Sequence, residues 1–485
     1  MIKRVVLPTQ IPGLDTILGG GLTANSLVML VGSPGAGKTI LASQLLFQAA
    51  RNGARGLIIT NASESATKLL AHLESLDFFD PSFIGKQITL IPFRAILGDD
   101  PETIRSSLTE TIRRFDIQWL LVDGFQGAIN LLGNTDAVRH FLGTLSTISS
   151  YLRVTCLVTL EGRGRDPLIS SELTTTDTAL GLEYDIDGWE HLRRIEVIKH
   201  RGGKHLSGLH VYTVNEQGFT IFPRLESLPP PPIIKQTKGR ASFGLPELDE
   251  LVDGGLTTGT GTVLAGAPGT GKTTLAMHWA MAGAHQTKPT IFVSFGENAE
   301  QLQDKANSFG LDLDAACVTG AVVVQYVNVS NFTLDIVTAN VLAALSTNGQ
   351  RVVFDGIGVL IQALGPRARV HLTALATHLA SRGVTSLFTL EIEPLAGFRL
   401  EMKYGPIQPI ADNLIVVQYS VAQGTLHYML AVLKTRFSAY DPTLRELLLT
   451  SDGIKVLKPQ DTAPGVFHSI EEDGGGISPD SIQDL

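Results

Sequence analysis

The sequence predicts an α/β protein of two tandem domains, each a mainly parallel β-sheet with helices on both faces. Three observations carry this. First, the pattern G-x-x-x-x-G-K-[ST] occurs twice, as Gly32-Ser33-Pro34-Gly35-Ala36-Gly37-Lys38-Thr39 and Gly266-Ala267-Pro268-Gly269-Thr270-Gly271-Lys272-Thr273. Each copy follows an apolar run, Leu27 to Val31 and Thr262 to Ala265, of the kind that forms a buried parallel strand. Second, the two copies belong to a long repeat. The lead-in Pro12-Gly13-Leu14-Asp15 through Gly21-Leu22 recurs as Pro246-Glu247-Leu248-Asp249 through Gly255-Leu256. The offset is 234 for Asp15/Asp249 and Lys38/Lys272, 233 for Ser75/Ser308, 232 for Asp123/Asp355 and 235 for Lys199/Lys434. A period this long describes tandem globular domains, since solenoid units span about 20 to 50 residues. Third, strand-like runs alternate with helix-length stretches in both halves.

The elements follow in order. After the first P-loop, a helical stretch leads to a candidate second strand, Ala54 to Thr60, and then to a third, Gln118 to Val122, ending in Asp123. The second half repeats this with Thr290 to Phe295 and with Arg351 to Phe354, ending in Asp355. Later strand-like runs, Arg194 to Ile198 and Tyr428 to Leu433, each lead into a Lys-x-Arg. These are Lys199-His200-Arg201, followed by Gly202-Gly203-Lys204-His205, and Lys434-Thr435-Arg436, followed by Phe437 to Tyr440.

Length agrees with two domains, because 485 residues exceed what one hydrophobic core usually serves. The expected boundaries are residues 1–225 for the first domain, 226–240 for a linker, 241–458 for the second domain and 459–485 for an acidic tail. The linker holds Pro229 to Pro232, four prolines that favour an extended spacer of about 12 Å. The tail, with Glu471-Glu472-Asp473 and Gly474 to Gly476, has too little apolar surface to fold and is expected to be disordered. Cys156 and Cys317 follow no metal-ligand spacing and read as small buried fillers. No signal-peptide core opens the chain, because Met1 to Leu7 breaks at Pro8, and no apolar stretch approaches the roughly 20 residues a membrane helix needs. A soluble, cytoplasmic protein is expected. The net charge of −9 argues against nucleic acid as the main ligand.

The P-loop composition states its chemistry. Glycines let consecutive N–H groups turn inward around phosphate, and the following helix adds its positive dipole end. Lys38 and Lys272 reach the β- and γ-phosphates, and Thr39 and Thr273 hold Mg²⁺. An Asp at the carboxyl end of a neighbouring buried strand belongs where a Walker B carboxylate orients Mg²⁺, which nominates Asp123 and Asp355. The cofactors expected are a nucleoside triphosphate at two sites and Mg²⁺. No base-reading motif is evident.

Lead-in, P-loop, Walker B strand and Lys-x-Arg occur in the same order in both halves, over about 450 residues. In this the chain resembles the KaiC/RadA branch of the RecA superfamily, and double-domain KaiC-like ATPases most. The resemblance implies RecA-like domains, ATP as the nucleotide, and a hexameric ring with ATP between adjacent subunits. It also implies that Lys199, Arg201, Lys434 and Arg436 reach the γ-phosphate held by a neighbour, where a finger of this kind supplies about 10³ to 10⁵ in rate. His205 matches a histidine of the family loop, which Tyr440 replaces in the second half.

Two departures from that family bear on activity. KaiC-like domains end the second strand with adjacent glutamates that polarise the attacking water. Here the second-half pair is Gly296-Glu297. The first-half pair is Ser63-Glu64 if Ser75/Ser308 sets the register, or Ala62-Ser63 if the strands are matched directly. Glu297 and Glu64 are therefore the candidate bases, and slow hydrolysis is expected. Secondly, Asp412 to Tyr419 resembles the strand that follows the phosphorylated Ser-Thr pair of clock-type members. Counting back places Gln408 and Pro409 at the phosphosites, and neither has a hydroxyl. Autokinase activity is not expected.

The reading that follows is an ATP-binding, weakly hydrolysing regulatory ring with protein partners not named by the sequence. A recombination accessory ATPase is the alternative, but Gln126 to Gly133 and Ile357 to Pro366 lack the cations and aromatics of a DNA-holding loop. A structural ring with ATP as interface glue is a third.

Overall fold

A computed structural model describes residues 5–60, 66–96, 101–125, 135–162, 170–187, 190–232, 239–285, 288–328, 332–345, 350–392, 405–422, 424–451 and 453–462. Glu64, the Gln126–Gly133 loop and the acidic tail beyond Thr462 lie outside these residues. The chain divides into two compact units, Met1–Leu228 and Pro229–Leu485. Leu225–Ser227, at the start of the expected linker, forms a 3₁₀ turn whose Leu225 is buried.

Each unit is built on a nine-stranded sheet. In the first, six parallel strands lie in the order Thr178–Asp187, Leu27–Gly32, Thr155–Glu161, Trp119–Val122, Gly56–Thr60 and Ile88–Pro92. Three antiparallel strands then extend the sheet beyond Thr178–Asp187: Glu190–His200, His210–Asn215 and Gly218–Phe222. The second unit repeats this order with Gly261–Gly266 at the centre, between Thr385–Glu391 and Asn413–Ala422. Arg351–Asp355, Thr290–Ser294 and Val322–Tyr326 complete its parallel part. Thr425–Lys434, Arg445–Thr450 and Gly453–Val456 form the antiparallel extension. The sheets are thus mainly parallel and RecA-like, as the sequence predicts.

Side chains alternate across a strand, and the central strand shows how both faces are used. Val28 and Leu30 pack with Leu41 and Leu45 of the helix Lys38–Arg51. Leu27, Met29 and Val31 face the other way, onto Leu108 and Ile112 of Pro101–Phe115 and Leu142 and Leu145 of Thr135–Leu152. Burial on both faces explains why the strand reads as an unbroken apolar run. Cys156 sits within that core, its thiol pushed up to about 12 by burial. Cys317 departs from expectation: it is half-buried at the edge of the second unit's core, because Leu313–Val318 turns it toward the rim.

The shared lead-in has a structural task. Asp15 accepts hydrogen bonds from the backbone N–H and hydroxyl of Thr9, both at 2.8 Å. Asp249 likewise accepts from the Phe243 N–H at 2.7 Å and the Ser242 hydroxyl at 2.5 Å. These carboxylates staple the segment before the short helix that precedes each P-loop strand. Among the described residues, no helix is long and apolar enough to cross a membrane.

Candidate functional site

Each P-loop joins the carboxyl end of the central strand to a helix. Gly37 and Gly271, at the helix N-caps, have φ of 84° and 83°. Only glycine takes this left-handed geometry at no steric cost, and it leaves the first helical N–H groups facing the cleft. Around the loops lie cavities of about 420 Å³ in the first unit and about 570 Å³ in the second.

The residues nominated by sequence converge there. Thr39 donates to Asp123 at 3.0 and 3.2 Å, and Thr273 to Asp355 at 3.2 and 3.1 Å. Lys38 donates to the carbonyls of Gly32 and Ser33 at 2.9 and 3.0 Å, and Lys272 to that of Ala267 at 2.7 Å. The other loop positions, Pro34, Gly35 and Ala36 and their counterparts Pro268, Gly269 and Thr270, complete the two turns, with Gly35 and Gly269 also left-handed. Burial lowers the pKa of Lys38, with Glu161 and Asp123 acting against it, and lowers that of Lys272, with Glu391 and Asp355 acting against it. Burial raises the pKa of Asp355, against hydrogen bonds from Thr389 and Thr273. A buried ammonium and a buried carboxylate that both lack full compensation are what an anionic triphosphate and a divalent cation would balance. The donor set therefore fits Mg-nucleotide, with Lys38, Thr39 and Asp123 in the first site and Lys272, Thr273 and Asp355 in the second.

Two further pairs escaped the sequence reading. Thr159 and Thr389 donate to Asp123 and Asp355 at 2.7 and 2.6 Å. Two residues on, Glu161 and Glu391 end the same strands, and Glu391 lies 4.0 Å from Lys272. The signal was present as a repeated Thr-Leu-Glu, but short matches of common residues stand out only when the strands are seen side by side.

Glu297 also lines the second cavity. Its N–H donates to Ser294 Oγ at 3.1 Å, and its carboxylate is ion-paired with Lys305 of the helix Ala299–Ser308. Gly296 beside it is exposed, is not left-handed, and a Cβ built there meets nothing within 4 Å.

The Lys-x-Arg pairs lie elsewhere. Lys199 donates to the carbonyls of Leu173 and Thr174 at 2.8 and 3.0 Å, and Arg201 to that of Thr174 at 3.2 Å. Arg201 also lies 4.0 Å from Asp177, whose carboxylate accepts from the N–H of Leu27 at 3.1 Å. In the second unit Lys434 donates to Ala411 at 2.9 Å, and Arg436 pairs at 3.2 Å with Asp412, which accepts from Gly261 at 3.1 Å. Both pairs thus sit at the amino end of the central strand, while the P-loop begins at its carboxyl end. The central strand has six residues, whose five rises of about 3.3 Å set its ends about 17 Å apart. His205 follows in the same loop, and its charge helps to depress the pKa of His200, after burial. Gln408 and Pro409 fall in the 3₁₀ segment Gly405–Ile410.

Fold and sites together define a tandem RecA-like P-loop protein. The KaiC ATPase family model matches residues 7–226 and again 241–461, and the chain belongs to that family. It is 25% identical over 470 residues to circadian clock protein KaiC2 of Synechocystis sp., covering 94% of this chain and 82% of the relative. Circadian clock oscillator protein KaiC 1 of the same organism is 25% identical, covering 92% and 88%. KaiC of Thermosynechococcus vestitus is 24% identical, covering 94% and 89%.

Proposed function

We propose that this chain is a cytoplasmic, Mg-ATP-binding and slowly hydrolysing switch, working as a homo-hexamer with ATP held between subunits. The observation that carries this reading is the separation just described. Each unit has its P-loop lysine and threonine and its strand-end aspartate together at one end of its sheet, and a Lys-x-Arg pair about 17 Å away at the other. Cations placed so far from their own P-loop suit a phosphate bound by a neighbouring copy. Their side-chain exposure, 54% for Arg201 and 66% for Arg436, leaves them reachable.

Bound Mg-ATP would supply the electrophilic γ-phosphoryl group. Lys38 and Lys272 neutralise phosphate charge, and Asp123 and Asp355 orient the cation together with Thr39 and Thr273. Glu297 takes the proton of the attacking water in the second unit. With one acid where relatives have two, turnover is slow. Nucleotide state then controls assembly, because a ligand bridging two subunits stabilises their contact by linkage.

Native mass spectrometry with and without Mg-ATP tests the reading. Six subunits carrying about two nucleotides each, only when Mg-ATP is present, is the expected result. A chain that stays monomeric while nucleotide-saturated refutes the bridging role.

A further inference from the structure

The second cavity holds a cation that the P-loop chemistry does not use. Lys305 projects from the helix Ala299–Ser308 into the same space as Lys272, Thr273, Asp355 and Glu391. Its partner is Oε1 of Glu297, while Oε2 of Glu297 is buried with no hydrogen-bond partner among the described residues. The charge of Lys305 is felt by both Lys272 and Asp355, the two groups that bracket the terminal phosphates and Mg²⁺. Lys305 is also 31% exposed and carried on a flexible four-carbon stem, so it can change partner without moving its helix.

Resting on the nucleotide reading above, we propose that Lys305 is a terminal-phosphate contact of the second site. It exchanges the Glu297 carboxylate for the γ-phosphate, so that Glu297 is released as a base only when a triphosphate is bound. The exchange is favoured electrostatically. A terminal phosphate carries more charge than a carboxylate and accepts strong charge-assisted hydrogen bonds, and a compact ammonium goes to the denser anion. Without the third phosphate, Lys305 stays on Glu297 and the base is quenched. The device belongs to the second unit. The register set by Ser75 and Ser308 puts His72 at the place of Lys305, and Lys38 is the one lysine among the described residues lining the first cavity.

The test is the ratio of ATP to ADP affinity at the second site. It is read by titrating fluorescent ATP and ADP with Mg²⁺ into the full chain carrying Lys38→Ala, which silences the first P-loop. Lys305→Met should weaken ATP by about tenfold, the loss of one hydrogen bond to a charged group, and change ADP by less than about twofold. Glu297→Gln removes the competing carboxylate and should tighten ATP while leaving ADP unchanged. An unaltered ATP-to-ADP ratio in Lys305→Met, or an equal loss of both ligands, overturns the proposal. Should Lys305→Met fail to fold, Glu297→Gln decides alone, and unchanged or weaker ATP binding overturns it. If the Lys38→Ala chain binds neither nucleotide, the nucleotide reading of the second site falls first. That result is distinct, because the titration then shows no saturation at all.

Discussion

Gly296→Glu restores the acid that precedes Glu297 in KaiC-like domains, and the structure says what it should do. Gly296 lies outside the left-handed region, and its added Cβ meets no atom within 4 Å, so the substitution is not strained. Replacing glycine at such a position stabilises by about 0.4 to 1 kcal/mol, through loss of unfolded-state entropy. Against this, a new carboxylate joins Glu297, Asp355 and Glu391 around Lys272 and Lys305. Gly296 is solvent-exposed, so the repulsion is screened to about 1 kcal/mol or less. The two terms nearly cancel, and folding should change little. Activity should not stay level, because a well-placed base contributes about 10² to 10⁴ in rate. We expect phosphate release from the second site to rise by about 10- to 100-fold. The assay is single-turnover hydrolysis in the Lys38→Ala background, with occupancy measured on the same sample. Adding Glu297→Gln shows which acid acts. An unchanged rate at full occupancy would refute the view that the missing acid is what slows the second site.

Other outcomes follow from the same geometry. Lys38→Ala and Lys272→Ala should each remove about one bound nucleotide per chain, read by native mass spectrometry; two retained by both variants contradicts the tandem sites. Arg201→Ala and Arg436→Ala should weaken ATP-dependent assembly seen by light scattering. They should lower stability by less than about 1 kcal/mol, because the arginine side chains removed are more than half exposed. Asp355 has a carboxyl pKa raised above 3.8 by burial, so folding favours its protonated form. That contribution is complete below the ordinary carboxylate value and is lost as pH rises through the folded one. Asp355→Asn should therefore raise the melting temperature of the nucleotide-free protein at neutral pH and remove part of its decline with rising pH, and superimposable pH–melting curves of parent and variant count against this.

Much of the architecture was legible because parallel strands buried on both faces leave unbroken apolar runs, and because the duplication writes every signal twice. The Leu27–Gly32 and Gly261–Gly266 strands, both P-loops and the Asp-terminated strands fall where the sequence places them. The edge strands Ile88–Pro92 and Val322–Tyr326 did not announce themselves, since each is only partly buried and carries a mixed pattern. The antiparallel extension was read only in part, as the runs leading to Lys199 and Lys434.

What the sequence determined by itself was the local chemistry: glycines that permit left-handed turns, a lysine and a threonine at fixed spacing after them, and a carboxylate at a strand end. Those depend on backbone conformation over a few residues, which residue type constrains directly. Tertiary structure alone decided which distant groups share a cavity. It brought Thr389 to Asp355, set Glu391 beside Lys272 and placed Lys305 on Glu297. It also carried Arg201 and Arg436 to the end of the sheet away from their own P-loops, to pair with Asp177 and Asp412. The reason is strand order: neighbours in the sheet are far apart in the chain, and the sense of each strand decides which of its ends faces the P-loop.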